Sequence, residues 1–344
     1  MTRKILVTGG AGFIGANYVH RLVRRGENVA VYDNLSRAGS VHNLAWLRDD
    51  LGGDAFELVE ADVRDADALR RAAHDADAIV HLAAQVAVTT SVEDPRHDFE
   101  VNALGTFNVV EAARLSNRDP VVIYASTNKV YGELEGSRVV EETTRYTLAE
   151  PAGGVAETHP IDLHSPYGCS KGAGDQYCRD YHRIYGLPTV VCRQSCIFGP
   201  RQFGIEDQGW VAWFVISAVL GRPITIYGDG KQVRDLLWVD DLLDAYDLAM
   251  EHIDTTAGGI YNLGGGPDNT LSIWSEFQPL LEAATGNAIT ATFDDWRPGD
   301  QKTFVSDISR FAADTGWRPK VSPAAGIRRL TDWVAANRVL FEGN

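Results

Sequence analysis

The chain opens on a short apolar run, Ile5-Leu-Val7, that breaks into glycines at Gly9, Gly12 and Gly15. Such a run reads as a buried strand. A helical pattern follows from Ala16 to Arg25 and stops at Gly26. Apolar runs recur at Asn28–Tyr32, Phe56–Val59, Ala78–Leu82, Pro120–Ala125 and Pro188–Cys192. They are continuous rather than alternating, as strands buried on both faces require. Helical patterns lie between them at Asp65–His74, Phe99–Ser116 and Pro166–Tyr185. This alternation predicts an α/β fold with a doubly wound parallel sheet. Ligands of such sheets bind beyond the carboxyl ends of the strands. Asp33, Asp62, Ala83, Thr127 and Ser195 fall at those ends.

Past Gly199 the pattern loosens. Trp210, Trp213 and Phe214 sit at helical spacing, which reads as core. Pro223 to Leu237 reads as a hairpin turning at Asp229-Gly230. A helix over Asp240–Met250 and a strand over Ile260–Leu263 return to the main sheet, and Ala324–Asn337 is a last amphipathic helix. The expected organisation is a dinucleotide-binding domain over 1–193, rejoined by 236–265, and a smaller C-terminal lobe over 194–344.

Charge narrows the partners. A net charge of −15 and a pI near 5.0 argue against nucleic acid and anionic membranes. No run approaches a membrane-spanning length, and the start fits no secretory leader, so the cytosol is expected. Cys169, Cys178, Cys192 and Cys196 form no Cys-x-x-Cys pair, which favours reduced thiols over a metal site.

The glycine turn between a strand and a helix is the first half of a Rossmann-like dinucleotide unit. One glycine makes the turn, one admits backbone N–H groups to a pyrophosphate, and one lets helix and strand pack closely. Its G-x-x-G-x-x-G spacing differs from G-x-G-x-x-G. Asp33 ends the second strand, where an acid accepts both ribose hydroxyls of NAD and repels the 2′-phosphate of NADP. Arg37 lies close enough in sequence to soften that preference.

Ser165-Pro166-Tyr167-Gly-Cys-Ser-Lys171 holds the sharpest chemistry. Ser165 suits an N-cap and Pro166 the first helical position. Tyr167 and Lys171 share a helix face. A neighbouring ammonium would ease ionisation of the phenol, making Tyr167 a general base. A solvated surface Tyr–Lys pair is the alternative. Tyr124-Ala-Ser126-Thr127-Asn128-Lys129-Val-Tyr131-Gly132 follows another strand, with hydroxyls placed to hold a forming carbonyl.

Together these motifs resemble the extended short-chain dehydrogenase/reductases that act on nucleotide sugars. The resemblance implies a catalytic trio of Thr127, Tyr167 and Lys171. It implies NAD held at the turn by Gly9, Gly12, Phe13, Ile14 and Gly15. Asp33, Asn34, Ser36 and Arg37 would serve its ribose side, with Asp62 and Val63 at the adenine. Leu82, Ala83, Ala84, Gln85 and Asn102, with Tyr167 and Lys171, complete the cofactor set. Arg234 and Arg297 would bind the substrate diphosphate. Gln85, Asn128, His164 and Gln208 would touch substrate, as would Cys196, which stands where the wider superfamily often has asparagine. The family's oligomers imply a homodimer or homotetramer.

The family's 4,6-dehydratases carry two acids after the threonine, where this chain has Asn128-Lys129. The stretches Ser126–Gly132, Leu163–Lys171, Asp207–Trp210 and Gly230–Asp235 most resemble the CDP-tyvelose (CDP-paratose) 2-epimerases. The expected reaction is oxidation of a nucleotide sugar at C2 and hydride return to the other face, on a CDP-hexose. A 4-epimerase, a dehydratase or decarboxylase, and a non-catalytic NAD sensor are the alternatives.

Overall fold

The computed structural model describes residues 2–150, 153–297 and 300–342. The chain divides into two compact units. The first comprises 1–130, 165–193 and 243–261, and the second 131–164, 194–242 and 262–344. Residues 131–164 therefore cluster with the second unit rather than continuing the first.

The first unit carries a seven-stranded parallel sheet. Its strands include β1 (Lys4–Thr8), β2 (Asn28–Asp33), β3 (Glu57–Glu60), β4 (Ala78–His81) and β5 (Val121–Thr127). The order is Ile260–Leu263, Thr189–Gln194, β5, β4, β1, β2, β3. The order reverses between β1 and β4, and the glycine turn leaves β1 at that switch point. Ile5, Leu6 and Val7 are wholly buried, which is why their run is continuous. The helix Phe13–Arg24 buries Gly15, Ala16, Val19 and Leu22 against the sheet, and Gly26 closes it in left-handed backbone.

The expected long helix from Phe99 forms but carries a widened turn. Pro95–Phe99 is helical, Glu100–Leu104 is a π-turn, and Gly105–Arg114 resumes the α-helix. The widened turn is a local irregularity of the kind concentrated at functional sites.

In the second unit Trp210–Leu220 is a helix, with Trp210, Phe214, Trp274 and Phe277 in edge-to-face contact. The expected hairpin at Asp229-Gly230 does not form. Thr225–Tyr227 pairs in parallel with Thr292–Asp294, whereas Val233–Asp235 pairs with Thr270–Ser272 and Thr303–Phe304. The turn signal is local; distant strands outcompete the near one for backbone hydrogen bonds. Among the described residues, no helix is long and apolar enough to cross a membrane.

Candidate active site

The glycine turn is built for close approach. Gly9 has a φ of 70°, and a Cβ there would lie 2.6 Å from the Ala83 nitrogen. A Cβ on Gly15 would run into the Gly9 carbonyl, and one on Gly12 would lie 3.1 Å from it. Gly12, Phe13 and Ile14 keep partial exposure at the helix N-terminus. A bare backbone cradle with a helix dipole behind it fits a dinucleotide pyrophosphate.

Asp33 is buried at the tip of β2. Its carboxylate accepts from the Ala11 N–H at 3.0 Å and the Leu35 N–H at 2.8 Å. Burial pushes its pKa up, against the pull of those two hydrogen bonds and of Arg37. Asn34 and Ser36 are exposed beside it. Asn34 donates to Asp62 at 2.8 Å. Arg64 grips Asp62 with two guanidinium bonds of 2.9 Å and holds its pKa down at about 2. The Val63 side chain packs in the core, where Gly105 leaves it room. Leu82, Ala83 and Ala84 line the partly exposed end of β4.

Gln85 and Asn102 form a clamp. Asn102, 1% exposed, accepts from the Gln85 N–H at 2.9 Å and donates to the Gln85 carbonyl and to Asp98. The Gln85 amide donates to the Ala87 carbonyl at 2.8 Å and to Asp98 at 3.0 Å. Both side chains thus shape the β4 loop. Asp98, which the sequence reading passed over, ties the clamp through the Ser170 hydroxyl, at 2.5 Å, to the helix that carries Tyr167 and Lys171. Its signal was an acid four residues before Asn102 on one helical face.

Tyr167 and Lys171 lie on the Ser165–Tyr185 helix. Ser165 accepts from the Gly168 N–H at 3.2 Å, as a cap does, and has a φ of 67°, left-handed backbone at the head of that helix. The Tyr167 N–H donates to the Ser91 hydroxyl at 3.2 Å. The Thr127 hydroxyl donates to the Asn128 side-chain oxygen at 3.4 Å, and its nearness to the Tyr167 phenol favours ionisation there. Burial outweighs that contact and pushes the phenol up to about 12. The expectation that Lys171 would acidify Tyr167 is therefore corrected. The Lys171 ammonium lies 4.5 Å from the ring centroid of Tyr124, and burial lowers its own pKa to about 8.

The other hydroxyls near the β5 end are engaged elsewhere. The Ser126 hydroxyl donates to Asp175 at 3.0 Å, and that of Tyr124 to the Lys171 carbonyl at 3.1 Å. Asp175 in turn takes two bonds from Arg193, of 2.8 and 3.1 Å, and the pair is almost fully buried. Asn128 follows Thr127 and is half-buried.

The remaining predicted residues belong to the second unit. Arg234 is buried and paired with Asp300 at 2.6 Å. Arg297 pairs with Asp207 at 2.8 Å and lies 3.9 Å over the Tyr227 ring. Pro298 and Gly299, which follow Arg297, lie outside the described residues. His164 is exposed, 3.5 Å from Glu133, and Gln208 is half-buried, bridged to Ile205. Cys196 has a φ of 40°, backbone that asparagine tolerates better than most residues. Ser195 donates to the buried Asp235 at 2.6 Å.

Residues 5–264 match the family described as the NAD dependent epimerase/dehydratase family. A CDP-paratose 2-epimerase of Salmonella typhi is 44% identical, over 97% of this chain and 99% of that one. A UDP-glucose 4-epimerase of Mycolicibacterium smegmatis is 34% identical, over 96% and 98%. Among solved structures, a dTDP-glucose 4,6-dehydratase of Streptomyces venezuelae with NAD bound is similar at a TM-score of 0.84 and 30% identity, covering 99% of both chains. With its glycine cradle, its parallel sheet and its full-length likeness to these enzymes, the chain belongs to the NAD-dependent epimerase/dehydratase family.

Proposed function

We propose that this chain epimerises a CDP-hexose of the paratose/tyvelose type at C2. The observation that carries the reading is the 44% identity to a CDP-paratose 2-epimerase over essentially the whole chain, against 34% for a 4-epimerase. Asn128-Lys129 in place of an acidic pair speaks against dehydration.

Bound and oxidised, NAD supplies a positively charged ring and reversible hydride acceptance. Thr127, Tyr167 and Lys171 are the groups that act on the sugar. Tyr167 takes the C2 hydroxyl proton as that carbon becomes a ketone and returns it when the carbon is reduced from the other face. Thr127 hydrogen-bonds the reacting oxygen. Lys171 keeps a positive charge near the phenol. Asp33 accepts the ribose hydroxyls, the Gly9–Gly15 turn takes the pyrophosphate, and Arg234 and Arg297 take the substrate diphosphate in exchange for Asp300 and Asp207. Asn128, Gln208 and Cys196 contact substrate.

The enzyme works in the cytosol, which suits four cysteines that form no disulfide. Its net charge of −15 disfavours nucleic acid. A homo-oligomer is supported by exposed Tyr177, Ile184 and Tyr185 on one helix and by exposed Phe99 and Leu104.

The test is turnover of CDP-paratose in deuterium oxide, followed by NMR. The expected product is inverted at C2 with no carbon-bound deuterium, and substrate deuterated at C2 keeps its label there. Solvent deuterium on carbon, or inversion at C4 with C2 untouched, would reject the 2-epimerase.

A further inference from the structure

Lys171 is a buried ammonium, and what its Nζ meets is an aromatic ring. The centroid of Tyr124 lies 4.5 Å away. That ring is held from several sides. Its hydroxyl donates to the Lys171 backbone carbonyl at 3.1 Å, which ties β5 to the catalytic helix. Gly174, one turn past Lys171, leaves the space; a Cβ there would lie 2.5 Å from the Tyr124 hydroxyl. Glycine inside a helix costs about 1 kcal/mol relative to alanine, so this seat is made at the expense of helix stability.

His81 stacks on the same ring, with centroids 5.6 Å apart and planes 27° from parallel. Its tautomer follows from its neighbours. The Thr106 hydroxyl donates to the Asn102 carbonyl at 2.6 Å, so its oxygen accepts from His81 Nε2–H at 3.0 Å. Nδ1 then accepts from the Thr8 hydroxyl at 2.7 Å. Burial, reinforced by the Lys171 charge, holds this imidazole neutral, with a pKa of about 3. Lys171 thus has no second cation competing for the Tyr124 ring from His81. The other groups acting on it are Asp98 from the neighbouring Pro95–Phe99 helix, and Asp175 and Cys178 from its own helix.

We propose that Tyr124 is a positioning residue for the reaction: the negative face of its ring holds the Lys171 ammonium in place and keeps it protonated. This rests on the assignment of Lys171 to catalysis. A desolvated cation gains from an aromatic face what it has lost from water. Remove the face and the charged form rises in free energy, so Lys171 titrates lower.

The experiment keeps shape and changes the ring's electrostatics. Tyr124→Phe removes the hydroxyl and retains the negative face. Pentafluorophenylalanine in place of Tyr124 retains the packing and inverts the face. Both are prepared with NAD bound. Lys171 is titrated by NMR of ¹³Cε-lysine, assigned with Lys171→Arg, and the pH profile of kcat is measured in parallel. In Tyr124→Phe, the Lys171 titration and the alkaline limb of kcat should stay near wild type. In the fluorinated protein both should move down by about one pH unit. A merely structural ring would change stability and leave both unmoved.

An unshifted Lys171 in the folded fluorinated protein would overturn the proposal. So would an equal shift in Tyr124→Phe, which would assign the effect to the hydroxyl. The lysine titration needs no turnover. Should the wild type leave CDP-paratose unchanged, the epimerase reading fails while the titration still decides the role of Tyr124.

Discussion

Asp33→Asn tests the cofactor site most directly. Both carboxylate oxygens of Asp33 accept a backbone N–H, from Ala11 at 3.0 Å and Leu35 at 2.8 Å. A carboxylate has about four acceptor sites, so two remain for ribose hydroxyls. The amide keeps one oxygen and turns its NH₂ toward either Ala11 or Leu35, setting donor against donor. Hydrogen bonds to a charged group contribute about 1.5–3 kcal/mol, against about 1 for neutral ones. Loss of charge from the ribose contacts should then weaken NAD by about 2–3 kcal/mol, or roughly 30- to 150-fold. NADP should not weaken in parallel, because the repulsion of its 2′-phosphate disappears. The preference for NAD over NADP should narrow by about 100-fold. Calorimetric titration of cofactor-stripped protein with each dinucleotide measures both. NAD affinity within about threefold of wild type, or an unchanged preference, would show that Asp33 serves the turn and not the ribose.

Other outcomes follow from the same network. Tyr167→Phe should lower kcat by roughly two to four orders of magnitude with NAD still bound, as turnover and cofactor release on denaturation would report. His81 titrates near 3 in the fold, against about 6.5 in an unfolded chain. The unfolded state therefore takes up the proton first, and stability should fall with pH below 6.5, by about 2 kcal/mol between pH 7 and pH 5. Urea melts across that range should show the slope, and His81→Gln should flatten it. Arg193→Met strands a buried Asp175 and should cost about 3–5 kcal/mol. Adding Asp175→Leu should recover part of that loss, and additive melts for the two changes would refute the coupling.

Much of the site was legible because its signals are local in the chain. The glycine turn announces itself by glycines at three-residue spacing, Gly9, Gly12 and Gly15, where an apolar run gives way to a helix. Asp33 follows from the end of the next run, and Tyr167 and Lys171 from four-residue spacing. His81 and Asp175 were not legible. Each is an ordinary polar residue in sequence, and each acquires meaning only from partners far along the chain: His81 from Thr8, and Asp175 from Ser126 and Arg193.

What the sequence determined alone is the parallel sheet, the dinucleotide turn at its switch point and the set of candidate side chains around it. These depend on periodicity, on backbone freedom at Gly9 and on side-chain type, which are properties of short segments. Tertiary structure decided the rest. It denied Asp229-Gly230 its hairpin, because Thr292–Asp294 and Thr270–Ser272 compete for the same backbone groups. It engaged Ser126 with Asp175 and brought Thr127 near enough to Tyr167 to favour its ionisation. It also reversed the expected pKa shift of Tyr167, since burial disfavours a phenolate more than the Thr127 hydroxyl favours it. Desolvation is the sum of everything packed around a group, and no spacing along the chain encodes that sum.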